Sequence, residues 1–94
     1  REAELMSFNH PIQGTEADIM RKAMIEIDRA MRLRGFEESV RLLLQVHDEL
    51  VFEIRTPELA SASVEIKQIM ERAWQSAAPL VVAVKRGRTW GDLE

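Results

Sequence analysis

The sequence predicts an α+β domain: a small antiparallel three-stranded sheet with two helices packed on one face, in the order helix, strand, strand, helix, strand. Three observations predict it. Two stretches, around Met20–Met31 and Leu59–Ala73, repeat apolar residues at the three- and four-residue spacing of an amphipathic helix. Three short apolar runs, Val40–Val46, Leu50–Arg55 and Leu80–Lys85, have the length and composition of strands. Finally, 94 residues make one domain, residues 1–94. A chain of this size buries only ~60–65% of its unfolded surface, so all the apolar stripes must share a single core.

Taken in order, residues 1–14 are mixed and close in Asn9-His10-Pro11-Ile12-Gln13-Gly14, a loop by its Pro and Gly. Thr15 is placed to cap the first helix, with Asp18 suited to its positive end. Met20, Met24, Ile27 and Met31 form its buried stripe, widened by Ala23 and Ala30 with Ile19 at the edge; methionine at this spacing fills core gaps. Arg32 and Arg34 belong to the last turn, and Gly35 is the natural residue just beyond it. Val40–Val46 is a nearly continuous apolar strand, while Leu50, Phe52 and Ile54 alternate on one face of the next. Thr56 is placed to cap the second helix, with Pro57 in its first position. Leu59, Ala62, Ile66, Ile69 and Ala73 face inward, flanked by Met70 and Trp74, and Pro79 stops the helix. Leu80–Lys85 is the third strand, and from Gly87 the chain is an irregular tail around Trp90, both tryptophans being packing residues.

Composition narrows the function. Hydrophobic residues are 46% of the chain and aromatics only 5%, so aliphatic side chains and Met must fill the core. No apolar run approaches the ~18–20 residues of a membrane span, and no signal-peptide pattern opens the chain. Cysteine is absent, which excludes disulfides and thiolate metal sites. A net charge of -3 offers no electrostatic case for nucleic acid. The chain opens on Arg1 without an initiator Met, as a fragment would.

The hairpin tip breaks the local rules. Tight hairpins favour Asn-Gly, Asp-Gly or Gly-X, but here the connection is His47-Asp48-Glu49. Two adjacent carboxylates ~4 Å apart repel by about 1 kcal/mol in water and more near a protein surface. Two readings stay open on the residues alone: an exposed acidic turn, or part of a divalent-cation site. Mg²⁺ commonly takes one or two carboxylates together with waters and substrate phosphates.

Leu43-Leu44-Gln45-Val46-His47-Asp48-Glu49-Leu50-Val51 resembles the C-terminal catalytic motif of the family A DNA polymerases, the DNA polymerase I type. Asn9 to Asp18, containing Gln13-Gly14-Thr15, is similar to that family's lead into a long helix of the palm subdomain, and Gly87-Arg88-Thr89-Trp90 is similar to its end. The likeness runs from about residue 4 to residue 91. It implies the C-terminal part of the palm, serving template-directed DNA synthesis in replication or repair. Asp48 would be one of two aspartates holding the catalytic Mg²⁺ pair, with Glu49 an auxiliary catalytic carboxylate beside it. His47 would sit near the primer terminus, and Asn9 and Gln13 would face the minor groove. There, side-chain amides can donate to acceptors that every base pair presents. Where the family commonly has an arginine contacting the template, this chain has Leu5.

The implied partners are primer–template DNA, the incoming deoxynucleotide, and the fingers, thumb and rest of the palm. No membrane is involved, and the implied location is the cytoplasm at a bacterial nucleoid, or an organelle. The family's other metal-binding aspartate and its nucleotide-handling helix lie upstream of the region matched, so the 94 residues alone are expected to be inactive. The alternative is a stand-alone, non-catalytic α+β interaction module. A metal-dependent phosphohydrolase built on His47-Asp48 is the weakest reading, because such sites need further histidines and His10 is the only other one.

Overall fold

A computed structural model of the chain describes residues 3–9, 17–46, 49–73 and 82–87. Its order is β1 (Ala3–Asn9), α1 (Ala17–Leu33), β2 (Val40–Val46), β3 (Glu49–Arg55), a 3-10 turn (Thr56–Glu58), α2 (Leu59–Ala73) and β4 (Ala83–Gly87). The α+β class is as expected, but the sheet has four strands rather than three, in the order β2-β3-β1-β4. The extra strand is β1, in the mixed segment for which no element was predicted ahead of the loop, and it is a central strand. It pairs antiparallel with β3 on one side and β4 on the other.

Its position explains why it does not look like a strand. Met6, Ser7 and Phe8 are consecutive and all buried, so both faces are covered and polarity does not alternate along it.

Both helices lie on one face. Met20, Ala23, Ile27 and Met31 of α1 meet Ala62, Ile66, Ile69 and Met70 of α2 over Met6, Phe8, Val40, Leu50, Phe52 and Ile54 of the sheet. Met24, Ala30, Leu59 and Ala73 pack at the margin, so the two periodic stripes are the core. At its centre the Phe8 and Phe52 rings meet edge to face, centroids 5.8 Å apart at 81°. This is the favoured geometry for aromatic quadrupoles.

Helix α1 ends as its sequence indicates. Gly35 has φ +75°, a conformation costly for residues with a Cβ. The Gly35 and Phe36 N–H groups donate to the Arg32 and Met31 carbonyls at 3.0 and 2.8 Å, the paired bonds of a Schellman ending. Arg34 falls just past the helix rather than in its last turn. Thr15, the expected cap, lies outside the described residues.

At α2 the expected cap is not found. Thr56 sits inside the 3-10 turn, whose N-cap position is Arg55 with no side-chain capping bond. Pro57 favours that turn because its fixed φ suits the first helical residues and its missing N–H goes unneeded there. Of the expected strand Leu80–Lys85, Leu80 and Val81 lie outside the described residues; the described strand runs Ala83–Gly87, so Gly87 ends it rather than opening a tail. Trp74, Pro79 and Trp90 lie outside the described residues.

A carboxylate ties this strand to α2. The Val82 N–H donates to Glu71 Oε2 at 2.8 Å, and Lys67 Nζ lies 3.0 Å from the same oxygen. Burial alone pushes the Glu71 carboxyl up, but the Val82 N–H and the Lys67 ammonium together outweigh it and hold the group below its ordinary value. A depressed carboxylate contributes stability that is fully present above the unfolded value of ~4.3 and lost as pH falls through the folded one. Glu71→Ala should therefore cost about 1.5 kcal/mol at pH 7, with a much smaller difference by pH 3. Urea denaturation at the two pH values checks this. An equal cost at both would mean that the charge plays no part.

Candidate functional site: the hairpin end of the sheet

The β2–β3 register determines where the candidate carboxylates stand. From Val40↔Ile54 to Leu42↔Phe52 the strands pair in step; then Leu44 pairs with Val51, and Val46 with Glu49. Leu43 is the extra residue of a β-bulge, which slips the register by one. The slip brings Val46 opposite Glu49, so only residues 47 and 48 separate the paired strands. The expected tip His47-Asp48-Glu49 is corrected in this respect: Glu49 is the first residue of β3, not part of the turn.

Strand alternation then sorts the side chains. Leu50, Phe52 and Ile54 face the helices, which puts Glu49 and Val51 on the opposite face. On β1 the same face carries Ser7 and Asn9, because Ser7 pairs with Val51 and Asn9 with Glu49. On β4 it carries Ala83 and Lys85, the partners of Asn9 and Ser7. Two residues singled out in the sequence, 40 positions apart, are thus direct cross-strand neighbours, for which Cβ separations are ~4.5–5.5 Å. Asn9 is exposed, whereas Glu49 is half-buried. The other three expected site residues, Gln13, His47 and Asp48, lie outside the described residues.

One participant was not anticipated. Ser7 Oγ donates a hydrogen bond to Glu49 Oε2. The signal that would have found it is its spacing two residues before Asn9, informative only once residues 3–9 are known to be a strand.

Charge on this face is mixed. Lys85 is exposed and has no ion-pair partner among the described residues, whereas Arg86, on the other face, pairs with Glu4 at 3.1 Å. Farther along the hairpin Arg41 lies 3.9 Å from Glu53.

The donor set suits part of a hard-cation site. Among the described residues no three His, Cys, Asp or Glu side chains come together. What the sheet supplies is one oriented carboxylate, Glu49, with Asp48 next to it in sequence. That agrees with a cation that takes one or two carboxylates and completes its shell with water and phosphate. The 610 Å³ groove between α1 and α2, lined by Arg21, Ile25, Arg29, Glu65, Ile69 and Arg72 among others, shares no residue with this face. No helix among the described residues is long and apolar enough to cross a membrane.

The family model for DNA polymerase family A matches residues 1–92. The chain is similar to DNA polymerase I of Lactococcus lactis subsp. lactis, 46% identical over 88 residues that cover 94% of this chain and 10% of that protein. It is also similar to the thermostable DNA polymerase I of Thermus filiformis, 43% identical with the same coverage. Among solved structures it is similar to the POL domain of Pol1 from M. smegmatis in complex with DNA primer-template and dNTP. That match has a TM-score of 0.74 and 42% identity, and covers 85% of this chain and 14% of that one. The chain therefore spans about a tenth of the length of the curated relatives it matches.

Proposed function

Because the chain belongs to the family A DNA polymerases, we propose that it is the part of the palm that brings a metal-binding carboxylate and minor-groove contacts to the primer terminus. The observation that carries this reading is the Asn9–Glu49 pairing. It places a candidate DNA contact and a candidate catalytic carboxylate side by side, next to the His47-Asp48 connection. Asp48 and Glu49 would hold Mg²⁺. When bound, such an ion neutralises charge on the nucleotide phosphates and lowers the pKa of the attacking hydroxyl.

The remaining work belongs to side chains of this chain. The Asn9 and Gln13 amides donate to minor-groove acceptors, which position the duplex without selecting its sequence. His47, next to Asp48 in sequence, would sit near the primer terminus. Substrates are primer–template DNA and a deoxynucleoside triphosphate, met together with the fingers, thumb and rest of the palm, and the setting is the cytoplasm. Lys85 adds a cation to the face that carries Asn9. This offsets locally the acidic balance that spoke against nucleic acid.

A half-built site predicts weak metal binding. Titrating the 94-residue chain with Mn²⁺ should broaden the amide signals of residues 48 and 49 before any others, with a millimolar Kd. Micromolar affinity would show a complete site and overturn the partial-site reading. Broadening that spares 48 and 49 would overturn their assignment. The same chain should add no nucleotide to a primed template.

A further inference from the structure

The middle of the sheet buries a hydroxyl where a hydrocarbon would pack without penalty. Ser7 is 1% exposed and is the buried polar residue among those described. It lies on β1 between Val51 of β3 and Lys85 of β4. A buried hydroxyl is unfavourable unless its hydrogen bond is made. Ser7 makes that bond to Glu49 Oε2. The register brings the two together, since Glu49 stands opposite Asn9, two residues along β1 on the same face, making Ser7 its diagonal neighbour. No other described side chain is bonded to Glu49, and its second oxygen, Oε1, has no partner among the described residues.

We propose that Ser7 is a positioning residue for Glu49, fixing the carboxylate on the sheet before a cation arrives. A glutamate side chain has three rotatable torsions, and a free one must lose that freedom when it binds a metal. A hydrogen bond from a buried, immobile hydroxyl moves the ordering into folding and leaves Oε1 for the ion. Partners of this kind orient metal ligands and strengthen binding without touching the metal. The β1–β3 ladder is part of the device, because its unbroken register from Ala3↔Arg55 to Asn9↔Glu49 holds Glu49 opposite Asn9 and within reach of Ser7. The proposal rests on the reading of Glu49 as a cation-binding carboxylate.

The test is Mn²⁺ titration of the 94-residue chain, read at the residue 48 and 49 amides and at ¹³C-labelled glutamate carboxyls, with thermal melting as the check on folding. Ser7→Ala should weaken binding about tenfold, and Ser7→Thr, which keeps the hydroxyl, should restore it. In a Glu49→Gln background the same Ser7→Ala change should have no further effect. A residue acting only through the general fold would weaken binding in both backgrounds and would not be rescued selectively by threonine.

Unaltered binding in Ser7→Ala beside weakened binding in Glu49→Gln overturns the positioning role and leaves the carboxylate reading standing. Unaltered binding in Glu49→Gln overturns both. Should Ser7→Ala not fold, Ser7→Cys keeps the volume with a poor donor: weakened binding supports the role, and wild-type binding overturns it.

Discussion

If the proposed palm role holds, replacing Asp48 by alanine in a full-length polymerase containing these residues should lower kcat for nucleotide addition by about a thousandfold or more, with the fold intact. The expectation follows from what a phosphoryl-transfer site must do. Positioning and charge neutralisation supply nearly all of the catalysis, and a lost carboxylate ligand removes both at once. A thousandfold corresponds to ~4 kcal/mol of transition-state stabilisation, within the several kcal/mol a bound metal contributes. Glu49→Gln should cost less, because Glu49 is the auxiliary carboxylate and Asp48 stays in place beside it. Single-turnover incorporation at saturating duplex and nucleotide measures the loss, and circular dichroism reports the fold. Full activity in Asp48→Ala would remove the metal role and leave the interaction-module reading.

Phe8→Ala should have the largest effect on stability, about 3–5 kcal/mol. Phe8 is fully buried at the centre of the sheet, edge to face with Phe52 and under both helices. Marginal stability of roughly 0.05–0.15 kcal/mol per residue leaves a domain of this length only ~5–14 kcal/mol. The substitution therefore removes a large share of the total, and the stiff surroundings cannot collapse into the space. By contrast Leu43→Ala, at a bulged, 46% exposed position on an edge strand, should change stability by ~0.5 kcal/mol or less. Urea denaturation of the two variants tests the sheet order as well as the packing. If Phe8→Ala proved as mild as Leu43→Ala, β1 could not be a central strand.

The contrast shows what was legible in the chain. The two helices were, because Met20, Ala23, Ile27 and Met31, and likewise Ala62, Ile66 and Ile69, recur with the period of a surface that meets the core on one side only. Gly35 announced its helix end, since few other residues adopt its φ without strain. Strand β2 was found at its observed bounds, and β3 to within one residue. Asn9 and Glu49 could be named from residue type and motif, but nothing in their types says that they are neighbours. Strand β1 was not legible, nor was the role of Ser7.

By itself, then, the sequence determined the α+β class, the faces the helices bury, the family, and the identity of the candidate carboxylates. All of these depend on local periodicity or on residues adjacent in the chain. Tertiary structure alone decided that residues 3–9 enter the sheet, that Leu43 bulges, and that the β1–β3 register sets Glu49 opposite Asn9 and beside Ser7. The physical reason is that strand pairing is a long-range choice. Each strand exposes the same backbone groups to any partner, and a slip of one residue turns every later side chain to the other face. Which partner and which register win depends on the packing of the whole sheet.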